Sequence, residues 1–157
     1  MHYLHSTRLI KHGLAAMLVS LLGGFVLLFS MIGAISLSPL PVFIDVAVPG
    51  TPQGWRIVHL GMMMNGLMAI LLGACLRWFS LRGSDAAWVC WGTIVAVWGN
   101  FCFYLFGMFA PNHGLTLQAN RLGEASLAGA VAFFPALLGA VTLSVAVVLL
   151  LRAKPLD

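Results

Sequence analysis

Four stretches of this chain run for more than twenty residues almost without charge: Leu14 to Ile35, Ile57 to Phe79, Ala86 to Phe109 and Ser126 to Leu151. Among them they hold one ionised side chain, Arg77. A helix crosses a hydrocarbon core of about 30 Å in roughly 20 residues, so each stretch can span a bilayer. Because lipid offers no partners to backbone amides, each must be helical. The expectation is an all-α integral membrane four-helix bundle, one domain over residues 1–157. Composition excludes the soluble alternative: a chain that is 61% hydrophobic and 8% charged cannot cover itself with a mixed, charged surface. The first stretch exceeds the apolar core of a secretory signal, about 7–15 residues, and no small-x-small cleavage site follows it. It reads as a span retained in the mature protein.

Charge sets the orientation. Arg8, Lys11, Arg77, Arg82, Arg152 and Lys154 fall on one side of a four-span layout, leaving Arg56 and Arg121 on the other. By the positive-inside rule both termini are cytoplasmic. The formal charge of +4 is thus a topology signal and not a nucleic-acid footprint. Trp55, Trp78 and Trp88 stand at span ends, where an indole prefers the headgroup region.

Within the spans, Cys75, Cys90 and Cys102 are isolated and odd in number, and read as small packing residues. Ala128, Ala132, Ala136, Ala140 and Ser144 form a small-residue stripe that allows close approach of a helix from the same chain or a neighbouring one. Pro135 removes a backbone donor in mid-span and predicts a kink there.

Polar groups inside a membrane are costly, and functional residues are sought among them. His59 and Asn65 occupy the first part of the second span, Asn100 and Tyr104 the second half of the third. Since the third span runs the opposite way, all four belong to the non-cytoplasmic half of the bilayer. His59 and Asn65 are separated by about 9 Å along the helix and about 120° around it, whereas Asn100 and Tyr104 share a face. Tyr104, roughly 8 Å from the end of its span, lies at the depth of Asn65. His59 and Asn65 therefore cannot address one atom from one helix; two sites, or one site shared between subunits, would resolve this. The spacing leaves another reading open, in which the amides and Tyr104 only join helices and His59 meets headgroups. Long loops on the same side, rich in turn-formers in PGTPQGW from Pro49 and APNHGL from Ala110, predict ordered caps over the bundle.

Two segments, VPGTPQGWRIVHLGMMMNG from Val48 to Gly66 and GNFCFYLFGMFAPNHGLTLQANRLG from Gly99 to Gly123, resemble the signature stretches of the styrene oxide isomerases. They cover about a quarter of the chain. The resemblance implies a homotrimeric enzyme of the bacterial cytoplasmic membrane that binds ferric haem b between subunits and isomerises a small hydrophobic aryl epoxide to an aldehyde. It implies that His59, the histidine of G-W-x-x-x-H, is the axial ligand of the haem iron, and that Asn65 and Tyr104 are the polar pair on the substrate. Ferric iron with one axial His keeps an open position for a Lewis-acid role.

The run Met62 to Met64 departs from that family pattern and reads as packing. His113, outside the spans, reads as a solvated loop residue. His2, His5 and His12 are terminal or interfacial and are assigned no role. Two other readings of the chain are a membrane haem b electron carrier, with a Met or a second subunit as the other axial ligand, and a non-enzymatic assembly protein.

Overall fold

A computed structural model describes residues 2–156 and is built on four long helices. Helices α1 (Tyr3–Ile32), α2 (Pro52–Trp78), α3 (Gly83–Gly107) and α4 (Leu127–Leu151) are each long and apolar enough to cross a membrane. The expectation of four apolar spans is met, with shifts at the ends. α1 begins eleven residues before Leu14 and carries Arg8 and Lys11 within it, while Ile35 lies beyond it in a short strand. Arg8 and Lys11 lower the hydropathy of this first segment, and the Arg8 guanidinium lies 4.9 Å from the centre of the Trp91 ring. α2 begins earlier than Ile57 because Thr51 caps it, its hydroxyl accepting from the Gly54 N–H at 3.0 Å, with Pro52 in the first turn. Met108 and Phe109 lie past the end of α3.

Two helical hairpins make up the molecule. α1 packs along α2 and α4 along α3, and a smaller α2–α3 contact joins the pairs. The buried residues of α1 are Ser6, Leu9, Gly13, Ala16, Ser20 and Gly23, a three-then-four spacing that keeps one narrow seam toward a neighbour. Their small size brings backbones together: a Cβ on Gly13 would stand 2.7 Å from the Gly66 carbonyl oxygen. Without a hydrophobic force between helices in lipid, close packing of this kind and interhelical hydrogen bonds hold the pair. Ser6 donates to the Gly73 carbonyl at 2.7 Å across the same seam.

The second seam differs from the expected stripe. Gly129, Ala132, Gly139 and Ala146 are the buried residues of α4, whereas Ala140 and Ser144 are exposed. Residues four apart drift by about 40° per step on a helix of 3.6 residues per turn, so a stripe of five cannot stay on one face. α4 continues as one helix through Pro135, and the Pro135 carbonyl fits against Gly99, where a Cβ would overlap it. Thr142 donates to the Gly92 carbonyl at 3.0 Å farther along. Gly99→Leu is accordingly expected to separate α3 from α4 and to destabilise the detergent-solubilised protein by roughly 1–3 kcal/mol, read as a lowered midpoint of thermal unfolding. An unchanged midpoint would mean that this seam does not hold the fold.

The loops hold structure that the apolar pattern conceals. Ala34–Ser36 (β1) pairs antiparallel with Phe43–Asp45 (β2) in the first long loop, and Phe79–Ser80 (β3) with Lys154–Pro155 (β4) at the opposite end. The β1–β2 ribbon packs on the end of α1 with β2 exposed, while Gly50 of the same loop sits against Met108 and Phe109 at the end of α3. All three cysteines are free, Cys90 buried and the others half-buried.

Candidate active site

The four intramembrane polar residues sort onto two faces of α2. On the face toward α1, the His59 Nδ1 lies 2.8 Å from the Ser20 carbonyl oxygen and 3.2 Å from the Ser20 hydroxyl. A carbonyl can only accept, so Nδ1 carries a proton, which in the neutral tautomer leaves the lone pair on Nε2. Ser20 also donates its own hydroxyl to the His59 carbonyl at 2.5 Å, which ties the ring to both backbones. Gly24, one turn on from Ser20, makes room for the imidazole: a Cβ there would come within 3.0 Å of Nδ1 and 3.1 Å of Cε1. His59 is half-buried. Fixing one ring nitrogen on a carbonyl is the arrangement that orients a histidine for metal ligation through the other.

On the face toward α3, Asn65 is 5% exposed and fully engaged. Its Nδ2 donates to the Gly61 carbonyl at 2.8 Å and to the Tyr104 hydroxyl oxygen at 3.2 Å, while its Oδ1 accepts from Asn100 Nδ2 at 2.9 Å. Asn65 and Tyr104 thus meet at a common depth, and Asn100 and Tyr104 meet it from one face, as the spacing predicts. The Tyr104 ring lies flat enough on α2 that a Cβ at Gly61 would overlap Cε2. His59 is not part of this cluster within the chain. The separation expected from the helical angle is present.

Tyr104 also lines a cavity of about 310 Å³ between the start of α2 and the end of α3, together with apolar Ile57, Phe103, Met108 and Leu115 and polar Thr51, Gln53 and His113. Its volume falls at the small end of ligand pockets, roughly 300–1,000 Å³. His113 is exposed, as expected of a loop residue, yet it stands at this cavity with a positive φ of 56°. Sequence reading missed the residue that shapes the loop. Asn112 is 1% exposed; its Nδ2 donates to the carbonyls of Thr116 and Gln118, and its Oδ1 accepts from the Gly114 N–H. The signal was present in Asn112 and Gly114 two residues apart, the spacing of an Asx-turn. Ser20 and Gly24 were missed too, because spacing along α1 does not say which of its faces meets α2.

The remaining residues take structural places. Met62 is fully buried and Met64 is 69% exposed, so the methionine run does not form a single stripe. His5 and His12 belong to α1, and His12 Nδ1 accepts from the Trp98 indole N–H at 3.0 Å. Trp55, in the first turn of α2, donates to the Pro49 carbonyl at 2.8 Å and secures the loop before it. Trp78 and Trp88 are exposed at helix ends.

Four apolar helices enclosing a hydrogen-bonded polar cluster at one level, beside a cavity at the end of the bundle, define an integral membrane protein with a candidate site among its spans. The chain belongs to the styrene oxide isomerase family, whose model matches residues 5–154, and is an enzyme of the isomerase class. A curated relative, the styrene-oxide isomerase of Pseudomonas fluorescens, is 33% identical over 129 residues, covering 81% of this chain and 75% of the relative. The family resemblance of the two polar stretches is therefore supported across nearly the whole chain.

Proposed function

We propose that this protein converts an aryl epoxide of the styrene oxide type to the corresponding aldehyde, using ferric haem b held by His59. The observation that carries the site is Tyr104, whose hydroxyl accepts from buried Asn65 and whose side chain lines the cavity. Support for the cofactor comes from the donor itself: an imidazole with Nδ1 donating to the Ser20 carbonyl, Nε2 without a hydrogen-bond partner among the described residues, and Gly24 leaving space behind the ring. When bound, ferric haem supplies a Lewis acid for the epoxide oxygen.

The chain's own residues position the oxygen and exclude water. Tyr104 donates a hydrogen bond to the epoxide oxygen, which becomes more favourable as negative charge gathers there. The benzylic C–O bond breaks, positive charge grows beside the ring, and a hydrogen moves with its electron pair from the terminal carbon to its neighbour. The carbonyl forms as that charge is quenched. Product and substrate are isomers, and no net proton or electron is consumed. Ile57, Phe103 and Leu115 give the cavity an apolar wall that disfavours trapping of the cation by water as a diol. Because His59 and Asn65 face different neighbours, the reading includes a homotrimer in which His59 of one copy serves the same site as Asn65 and Tyr104 of the next. The basic residues at one end of the bundle support cytoplasmic termini in a bacterial inner membrane.

Tyr104→Phe tests the assignment, since it keeps the ring and removes the donor. Turnover of styrene oxide by the purified variant is expected to fall roughly ten- to a thousandfold, with haem content unchanged. Wild-type turnover would reduce Tyr104 to a packing residue.

A further inference from the structure

We infer that Asn100 is a positioning residue for the isomerisation, acting through Asn65 to keep the Tyr104 proton available to substrate; the inference rests on the catalytic reading of Tyr104. Its basis is the direction of the hydrogen bonds. The Gly61 carbonyl, 2.8 Å from the Asn65 amide, can only accept, so the atom facing it is the NH2 group. That places Oδ1 toward Asn100, which must then present its own NH2, at 2.9 Å. The same Asn65 NH2 donates to the Tyr104 oxygen at 3.2 Å. Tyr104 is thereby an acceptor within the protein, and its hydroxyl hydrogen has no acceptor among the hydrogen bonds of the described residues.

The reverse orientation of the Asn65 amide would be damaging. Oδ1 would then face Tyr104 and accept its proton, and the bond that should reach the epoxide oxygen would be spent inside the protein. Gly61 and Asn100 oppose that flip from the two ends of the amide. Asn65 is 5% exposed, so without Asn100 its Oδ1 is left without a donor in an apolar span, a condition costly enough to favour rotation. Asn100 lies four residues before Tyr104 on α3, so a single helix face delivers both the proton donor and the group that keeps that donor free.

The test uses the purified, haem-loaded enzyme with styrene oxide. Asn100→Leu keeps similar volume and removes the donor; kcat is expected to fall roughly tenfold, with KM within about twofold and the haem spectrum unchanged. Asn100→Ala, which removes donor and bulk, should lose as much if Leu fails to assemble. Asn100→Gln, which retains an NH2 group, should recover part of the loss. The decisive comparison is Asn100→Leu in a Tyr104→Phe background: a residue acting through Tyr104 adds no further loss there. Multiplying losses, or wild-type kcat in both donorless variants, would overturn the inference while leaving the role of Tyr104 intact. Wild-type kcat in Tyr104→Phe alone would overturn that role and this inference with it.

Discussion

Wild-type protein purified in detergent is expected to carry haem absorbance, and His59→Ala protein to lose most of it. The imidazole is fixed by two contacts to Ser20 and has no competitor on its face of α2. His12, the other histidine near mid-helix, spends Nδ1 on Trp98 and lies eight residues before Ser20 on α1, about 12 Å along the axis. Because binding of a ligand to the folded state stabilises it, the variant should also unfold at a lower temperature than the haem-loaded parent. Full haem retention would move the ligand elsewhere and undo the assignment of His59. Gly24→Val offers an independent approach: a side chain there crowds the ring, so haem should be reduced even with His59 present.

The second large effect is expected at Gly61, a position with no chemistry of its own. An added methyl group overlaps the Tyr104 ring, and the ring must move away from α2, breaking the 3.2 Å bond to Asn65. Displacement of a positioning group by about 1 Å costs on the order of a hundredfold in rate. Gly61→Ala should therefore slow turnover to an extent comparable with Tyr104→Phe, with haem content preserved because His59 faces the other helix. Unimpaired turnover in Gly61→Ala would show that the Tyr104 geometry is not what the reaction requires.

How much of this could be read from the chain depends on whether the information lies along one helix or between two. The depth shared by Asn65 and Tyr104, and the common face of Asn100 and Tyr104, follow from rise and rotation along single helices of known direction. Contacts that depend on which faces meet do not follow. Ser20 and Gly24 are ordinary small residues until α1 is laid against α2, and of the four-residue stripe of α4 the seam within the chain takes Ala132, beside Gly129, Gly139 and Ala146. In the second long loop, attention to His113 missed Asn112, because a side chain that organises a turn is identified by where its hydrogen bonds end. The start of α1 was hidden for a different reason: Arg8 and Lys11 lower the local hydropathy, but their long stems can lie along the helix while the charge reaches polar surroundings.

The central claim is an isomerisation that moves a hydrogen within the substrate, and isotopic labelling reads it most directly. Styrene oxide carrying deuterium on the terminal carbon should be converted by the purified protein, anaerobically and with no electron donor, to phenylacetaldehyde. The migrated deuterium should be found on the carbon next to the ring and the other on the aldehyde carbon, since a hydride shift never releases the label to water. Product analysed early, before exchange of the acidic benzylic position, should retain both. Loss of one deuterium to solvent at the earliest times would point to proton abstraction by a base, and a requirement for reductant would contradict isomerisation altogether.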